Sequence, residues 1–358
     1  QPVAGAWNRL SGVRSRLLRK VHSTPVVVRE DYPMLYSGRK RLVYERAVDS
    51  LNSRGLTVAD SYCSTFIKAE KINFDAKVDP APRVIQPRSP RYNVEVGKYL
   101  KLFERELVHG FERAWGYPVI LKGMNADQVG QVMADNWGVF RNPVAVGLDA
   151  SRFDQHVSVE ALEWEHSVYN SVFRSDELAR LLKWQLNNRG IGRVPGYRVD
   201  YRVKGCRMSG DINTGMGNCL LMSSMVLAYF DHYGVTARLA NNGDDCVVFC
   251  DKSQLHMLDH LDRWFLDLGF TLTRERPVYC LERVEFCQFQ PVKLSTGWRM
   301  VRNPLVAMSK DCVSLSGWTN LLEVRMWAHA VGTCGASLTC GVPVWEAWYN
   351  RLIRLGTR

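Results

Sequence analysis

Between residues 214 and 233 nearly every position is apolar, and TGMGNCLLMSSMVLAYFDHY carries no charge before Asp231. A segment hydrophobic on all sides predicts a helix that is buried all round rather than an amphipathic surface helix. Its longest apolar run, Cys219 to Phe230, is broken by Ser223 and Ser224 and falls short of the ~18 residues of a membrane span. Elsewhere helical patterns run over Tyr44–Leu56, closing near Gly55, and over Tyr92–Arg113. Ser158–Phe173 and Ser253–Leu268 are read as helices in which the first serine is the N-cap. Pro143–Leu148 (PVAVGL) is a short β-type run, and Ala237–Asn241 with Cys246–Cys250 flank NGDD in a hairpin pattern. Arg189–Arg207 reads as loop and strand. Val284–Phe289 and Trp298–Val301 read as short strands before two terminal helical stretches. The segment from Phe66 to Arg91, FIKAEKINFDAKVDPAPRVIQPRSPR, mixes Lys and Arg with alternating apolar residues. Prolines at 80, 82, 87 and 90 exclude a long helix there and predict an extended basic ribbon. Strands interleaved with helices, without internal repeats, predict an α+β or α/β protein.

Composition narrows the class. The 358 residues suffice for about two domains or one large enzyme fold. With 46% apolar and 23% charged residues, the chain is globular rather than disordered, collagenous or a coiled-coil rod. No secretory signal is visible, and a chain that opens on Gln1 reads as a fragment whose upstream targeting sequence lies elsewhere. Lys plus Arg exceed Asp plus Glu by 47 to 36, a net charge of +11 that favours a polyanionic partner such as nucleic acid or an acidic membrane surface. Six of these cations fall in the first 29 residues, ahead of the first acid, Glu30. The ten cysteines show no CxxC, which fits reduced thiols in a cytosolic setting better than a disulfide framework.

Four carboxylates carry the candidate chemistry. Asp149 closes the PVAVGL strand, Asp154 follows in DASRFD, and Asp244 and Asp245 occupy the NGDD turn. A carboxylate at a buried strand end needs compensation, since an unpaired buried charge costs several kcal/mol. Mg²⁺ is one compensation, because it takes hard oxygen ligands and leaves room for phosphates. Acids from two strand ends would hold two ions roughly 3.5–4 Å apart, the arrangement that serves in-line phosphoryl transfer. NGDD alone is also an ordinary turn sequence; the DxxxxD upstream is what singles it out. Between them lies SGDINTGMGN, Ser209 to Asn218. Gly210 permits a tight loop there, and Thr214 and Asn218, four apart, share one helix face. Their hydroxyl and amide suit a sugar hydroxyl, although capping by Ser209 or Thr214 explains either residue singly.

The order DxxxxD, SGxxxTxxxN, GDD resembles motifs A, B and C of the palm domain in viral RNA-dependent RNA polymerases. GLDASRFDQHVS, MSGDINTGMGNC, NNGDDCVVF, APRVIQPRSPRYNVEVGKYLK and VEFCQ resemble the polymerases of the tombusvirus family of positive-strand RNA plant viruses and their umbravirus relatives. YSGRKRLVYERAVDSL and VRNPLVAMSKD fit the same pattern, so the resemblance covers about residues 30–311. It implies an α+β right-hand polymerase with an antiparallel palm sheet flanked by helices. Fingers would span 1–142, including the motif F ribbon 66–91, with an insertion at 161–203; palm would span 143–160 and 204–302, and thumb 303–358. The resemblance makes Asp149, Asp244 and Asp245 catalytic and metal-binding, with the Ala150 carbonyl as a further ligand. The ions would be two Mg²⁺, with Mn²⁺ as a substitute. Asp154, Ser209, Thr214 and Asn218 would recognise the ribose, and Lys68, Lys71 and Arg83 the triphosphate. Arg88, Arg91, Gly210 and the motif E turn Glu285, Phe286, Cys287 and Gln288 would meet template or product RNA.

The implied activity is template-directed RNA synthesis from ribonucleoside triphosphates on a viral genome. The implied partners are template and product RNA, an accessory viral replication protein and host factors. The chain itself has no membrane segment, and the implied location is a membrane-associated replication complex in the host cytoplasm, reached through sequence absent here. Motif D is where the pattern departs: FTLTRERPV offers Arg274 and Arg276 in place of a lysine, and arginine is a poor proton donor. Two rival classes remain, a reverse transcriptase or DNA polymerase and a basic RNA-binding structural protein. The first usually carries a bulky aromatic where Asp154 stands, and the second leaves the acids unexplained. His256 and His260, four apart without a neighbouring glutamate, read as packing residues rather than a metal pair. The late tryptophans, 298, 318, 327, 345 and 348, read as helix packing, with an aromatic platform for starting synthesis as the alternative.

Overall fold

The computed structural model describes residues 1–71 and 81–357. In chain order the elements begin with α1 (Ser11–Leu18), α2 (Gly38–Ser53), β1 (Cys63–Ile67), β2 (Val84–Ile85) and α3 (Pro90–Trp115). Then come α4 (Ala126–Gly138), β3 (Pro143–Ala150), α5 (Phe153–His156), α6 (Val159–Phe173), α7 (Asp176–Lys183), β4 (Asn187–Val194) and β5 (Tyr197–Lys204). The remainder is α8 (Thr214–Tyr233), β6 (Ala237–Asn242), β7 (Asp245–Asp251), α9 (Leu261–Asp267), β8 (Leu272–Arg274), β9 (Phe289–Leu294), β10 (Gly297–Arg302), α10 (Pro304–Asp311), α11 (Leu321–Thr339) and α12 (Pro343–Leu355). This is the mixed helix and sheet architecture the pattern predicts. The chain divides into two compact units, one made of 1–68, 82–122 and 146–276, the other of 69–81, 123–145 and 277–358.

The first unit is built around α8, buried without a break from Met216 to Phe230. It packs against α1, α6, α9 and β6, which is why no charged face is present to interrupt its apolar run. The sheet beside it has the order β6-β7-β3-β8, with β6 antiparallel to β7 and β3 antiparallel to β8. A second sheet has the order β2-β1-β4-β5; β1 and β4 run parallel, and the other pairs run antiparallel. The long helix α3 starts where Ser89 accepts from the Arg91 amide and Pro90 fills the first turn, and it stops at the left-handed Gly116.

The second unit holds the β9–β10 hairpin, with α4 against β10 and α11 packed on α12. Val301, Ala307, Trp345 and Tyr349 form a core there, so Trp345 packs helices as expected. Trp318 and Trp327 meet at 4.9 Å between ring centroids. No helix among the described residues is long and apolar enough to cross a membrane. All ten cysteines are free thiols.

Three local expectations change. Ser253–Leu268 is not one helix: a 3₁₀ turn over Lys252–Leu258 precedes α9, and its cap is Asp251, whose carboxylate accepts from the amide and hydroxyl of Ser253. That local bond competes with a continuous helix. The strand expected over Val284–Phe289 begins only at Phe289, because Cys287 and Gln288 form a two-residue turn with positive φ at both positions (52° and 65°). Finally, the end of the chain forms three helices rather than two, Pro304 starting the additional one. The ribbon expectation over 66–91 is met at its ends by β1 and β2; residues 72–80, with Pro80, lie outside the described residues.

Candidate active site

The apolar strand β3 delivers Asp149 to its C-terminal end, and β7 lies next to it in the same sheet. The β6–β7 hairpin pairs Asn242 with Asp245, leaving Gly243 and Asp244 as its two-residue turn. Gly243 has φ 76° at the first central position, where a hairpin turn calls for glycine. Asn241, fully buried, holds this turn: its amide nitrogen donates to the carbonyls of Gly243 (2.8 Å) and Asp245 (3.2 Å). On the other side the Gly243 amide donates to Cys219 Sγ on α8 at 3.0 Å. Two chain segments thus fix the position of the acids before any ligand arrives.

The acids themselves are not buried. Asp149, Asp244 and Asp245 are exposed at the end of a buried sheet, which corrects the expectation of carboxylates in need of compensation. Asp154, on the short helix α5, is the half-buried one. Burial raises its carboxyl above the ordinary range, Asn218 and Arg207 pull it back, and Asp244 and Asp211 push it up again. That influence of Asp244 places the α5 acid Asp154 and the hairpin acid in one electrostatic neighbourhood. Among the described residues no three His, Cys, Asp or Glu side chains form a closed metal cluster. The donor set still fits Mg²⁺, since hard carboxylate oxygens left open to solvent suit an ion that binds one or two carboxylates and keeps positions for water and phosphate.

Of the four residues expected to meet a sugar, Asp154 and Asn218 come together, while Thr214 and Ser209 bond elsewhere. Asn218 Nδ2 donates to Asp154 Oδ1 at 2.8 Å, joining residues 64 apart in sequence. Thr214, by contrast, spends its hydroxyl on the Met208 carbonyl at 2.8 Å, holding the loop that precedes α8. Ser209 accepts from the Gln86 amide at 3.1 Å, and Gly210 bridges to Pro87. The ribbon therefore docks by its backbone on the SGD loop. A Cβ at Gly210 would lie 2.7 Å from Pro87 N, so the glycine is required by close approach of two backbones.

The basic residues of the ribbon divide into two kinds. Lys68 and Arg83 are exposed and face one another across a backbone bond of 2.9 Å. Lys71 belongs to the second unit, where its ammonium reaches the Lys310 carbonyl. Arg88 and Arg91, expected to meet RNA, do not face solvent. The Arg88 guanidinium is buried against Asp211 and also donates to the Ser61 carbonyl and Asn188 Oδ1, each at 2.6 Å. Arg91 donates to Asp60 at 2.9 Å, to Ser50, and to the carbonyls of Arg54 and Gly55. Both are internal struts, because carboxylates and carbonyls distant in sequence satisfy their forks.

Arg274 donates to Asp262 and Asp259, both at 2.9 Å, which fits an electrostatic role better than proton donation. In the second unit, Phe286 and Phe289 exchange backbone bonds of 2.9 and 3.0 Å around the Cys287–Gln288 turn, and Lys310 donates to Gln288 at 3.2 Å. Glu285 precedes that turn and is exposed. Among the described residues His256 and His260 join no metal cluster, and His260 stacks on Tyr233 with ring centroids 5.7 Å apart.

Sequence reasoning missed Asn241, Cys219, Glu165 and Arg207. Only the first had a signal, the second asparagine ahead of GDD.

A family model described as viral RNA dependent RNA polymerase matches residues 1–358. The RNA-directed RNA polymerase of Turnip crinkle virus is 48% identical over 355 residues, 99% of this chain and 45% of that protein. Those of Melon necrotic spot virus and of Tomato bushy stunt virus (strain Cherry) are each 47% identical, over 99% and 98% of this chain and 45% and 43% of theirs. The chain spans less than half the length of these relatives.

Proposed function

The chain belongs to the viral RNA-dependent RNA polymerase family, and from that premise we propose that it carries the polymerase active site. In this reading the chain is a right hand whose palm sheet is β6-β7-β3-β8, and it copies an RNA template by adding ribonucleotides to a 3′-hydroxyl. The observation that carries it is the pair of acids, Asp149 and Asp244, at the ends of neighbouring strands beside a bonded Asp154–Asn218 pair. A coat-like RNA-binding protein has no use for that arrangement, and a carboxylate at Asp154 suits a ribose better than a deoxyribose.

Asp149 and Asp244, with Asp245 and the Ala150 carbonyl beside them, would hold two Mg²⁺, or Mn²⁺ in their place. The metal supplies charge neutralisation and polarisation at the transferring phosphoryl group. The protein's part is positioning. Asn241 and Cys219 keep the turn acids in place, Asp154 and Asn218 hold the ribose, and Lys68 and Arg83 attract the triphosphate. Phosphoryl transfer has little covalent work for side chains, so orientation and electrostatics carry most of the acceleration. Glu285–Gln288 and Lys71 are assigned to product RNA and triphosphate by family pattern, as are an accessory viral protein and host factors as partners.

The test is extension of an RNA template with Mg²⁺ and each nucleotide set. Template-dependent incorporation of ribonucleotides is expected, and Asp149→Asn or Asp244→Asn should abolish it while RNA affinity persists. Wild-type turnover by either variant at saturating Mg²⁺, or RNA binding without incorporation by the unmodified protein, would overturn the reading.

A further inference from the structure

Beneath the ribose-reading pair lies an ion pair that the reaction does not obviously need. Arg207, just before the SGD loop, and Glu165, on α6, have side chains with 0% exposure, and their fork and carboxylate meet. Glu165 Oε1 also accepts from Tyr169 Oη at 2.8 Å and from Asn213 Nδ2 at 2.9 Å. Asn213 in turn takes a bond from Gln185 at 3.0 Å. Burial favours a neutral carboxyl, but the adjacent guanidinium overrides it and holds Glu165 below the ordinary range. A buried ion pair of this kind is weak as a stabilising device, because well-packed apolar residues serve as well or better. Its presence asks for another use.

That use is the remaining donor of Arg207. Its Nε donates to Asn218 Oδ1 at 3.0 Å, while Asn218 Nδ2 donates to Asp154 Oδ1 at 2.8 Å. An amide can present either end to a neighbour. With a permanent donor behind it, Asn218 must turn its oxygen to Arg207 and its nitrogen to Asp154. This leaves Asp154 Oδ2 to accept from the sugar hydroxyl. Gly217 makes the stack possible: a Cβ there would lie 2.8 Å from Glu165 Cδ and closer still to the guanidinium. Helix α8 can approach the ion pair only at a residue without a side chain.

We infer that Arg207, anchored by Glu165, is a positioning residue that fixes the Asn218 amide and thereby sets the preference for ribose over deoxyribose; this rests on the ribose reading above. The experiment compares kcat/KM for matched ribo- and deoxynucleotides on one RNA template, together with the melting temperature of each variant. Arg207→Lys keeps the charge and the contact with Glu165, but its single compact ammonium lacks the separate Nε–H that reaches Asn218. It should still fold but melt roughly a few degrees lower for the buried bond it loses, raise KM for the ribonucleotide and lower the ribo-to-deoxy ratio roughly tenfold, the scale of one charge-assisted hydrogen bond. Combined with Asn218→Ala it should lose little more than Asn218→Ala alone, because the two act in series. Glu165→Gln, close in size, should lower the ratio in the same sense by loosening the guanidinium, and it decides the matter if Arg207→Lys fails to fold. A purely structural pair would depress both nucleotides equally and leave the ratio unchanged. Should Asn218→Ala itself leave the ratio unchanged, the ribose reading fails. Should Asn218→Ala lower it while folded Arg207→Lys and Glu165→Gln do not, the positioning role alone fails.

Discussion

Replacing Arg88 by alanine separates two accounts of the basic ribbon. If Arg88 were an RNA contact, its loss would weaken binding and leave the fold alone. In the structure its side chain is 1% exposed and that of Asp211 is 2% exposed, and the same guanidinium satisfies the Ser61 carbonyl and Asn188. Arg88→Ala therefore strands a buried carboxylate, for which breaking a buried pair costs about 3–5 kcal/mol. The carbonyl and amide left unpaired add about 1–3 kcal/mol each before relaxation. Even the lower figure is a large share of the ~5–15 kcal/mol that holds a domain folded. At about 2–4 °C per kcal/mol for a unit of this size, a loss of about 4 kcal/mol lowers the melting temperature by roughly 8–16 °C. Arg88→Lys should recover only part of this, since one ammonium cannot replace a fork that reaches three partners. Thermal unfolding followed by circular dichroism, with RNA filter binding on the same samples, reads both outcomes. A variant that melts with the wild type and binds RNA less tightly would refute the strut and restore the RNA contact.

Gly210→Ala should force the SGD loop and the ribbon apart, since its Cβ would lie 2.7 Å from Pro87 N; overpacking of this kind costs about 1–3 kcal/mol. A melting temperature and nucleotide KM both at wild-type values would show that the two backbones separate freely. Arg83→Ala, at an exposed site, should raise the nucleotide KM without moving the melting temperature; a change in stability alone would make the ribbon structural. Burial pushes the His166 imidazole below its ordinary 6.5 to about 4, against the pull of Glu165. The unfolded chain then takes up a proton below pH ~6.5 that the folded chain refuses, so stability is full above that pH and falls towards pH 4, by up to about 3 kcal/mol. His166→Gln should flatten this loss in melting curves between pH 7 and 4, and an equal slope in both proteins would contradict it.

Sequence by itself determined the elements whose signals are local. PVAVGL followed by Asp149 formed a strand that carries an acid to its end, and NGDD between two β-type runs formed the hairpin. The uninterrupted apolar run 214–233 became a helix buried along most of its length, with bounds Thr214–Tyr233. Ser158 capped α6 as its position suggests, accepting from the Ala161 amide. Each depends on a periodicity or turn chemistry that a few neighbouring residues satisfy among themselves. Only the tertiary structure decided the state of the charges. Arg83 and Arg88 stand five apart in one basic ribbon, yet Arg83 is exposed and Arg88 is buried. Arg88 is held by Asp211, 123 residues further along, which the fold brings against it. Glu165 and Arg207 meet in the same way across 42 residues. A guanidinium can become a buried strut only where a carboxylate arrives to compensate its desolvation, and that arrival is a property of the packed chain, invisible in any local window of the sequence.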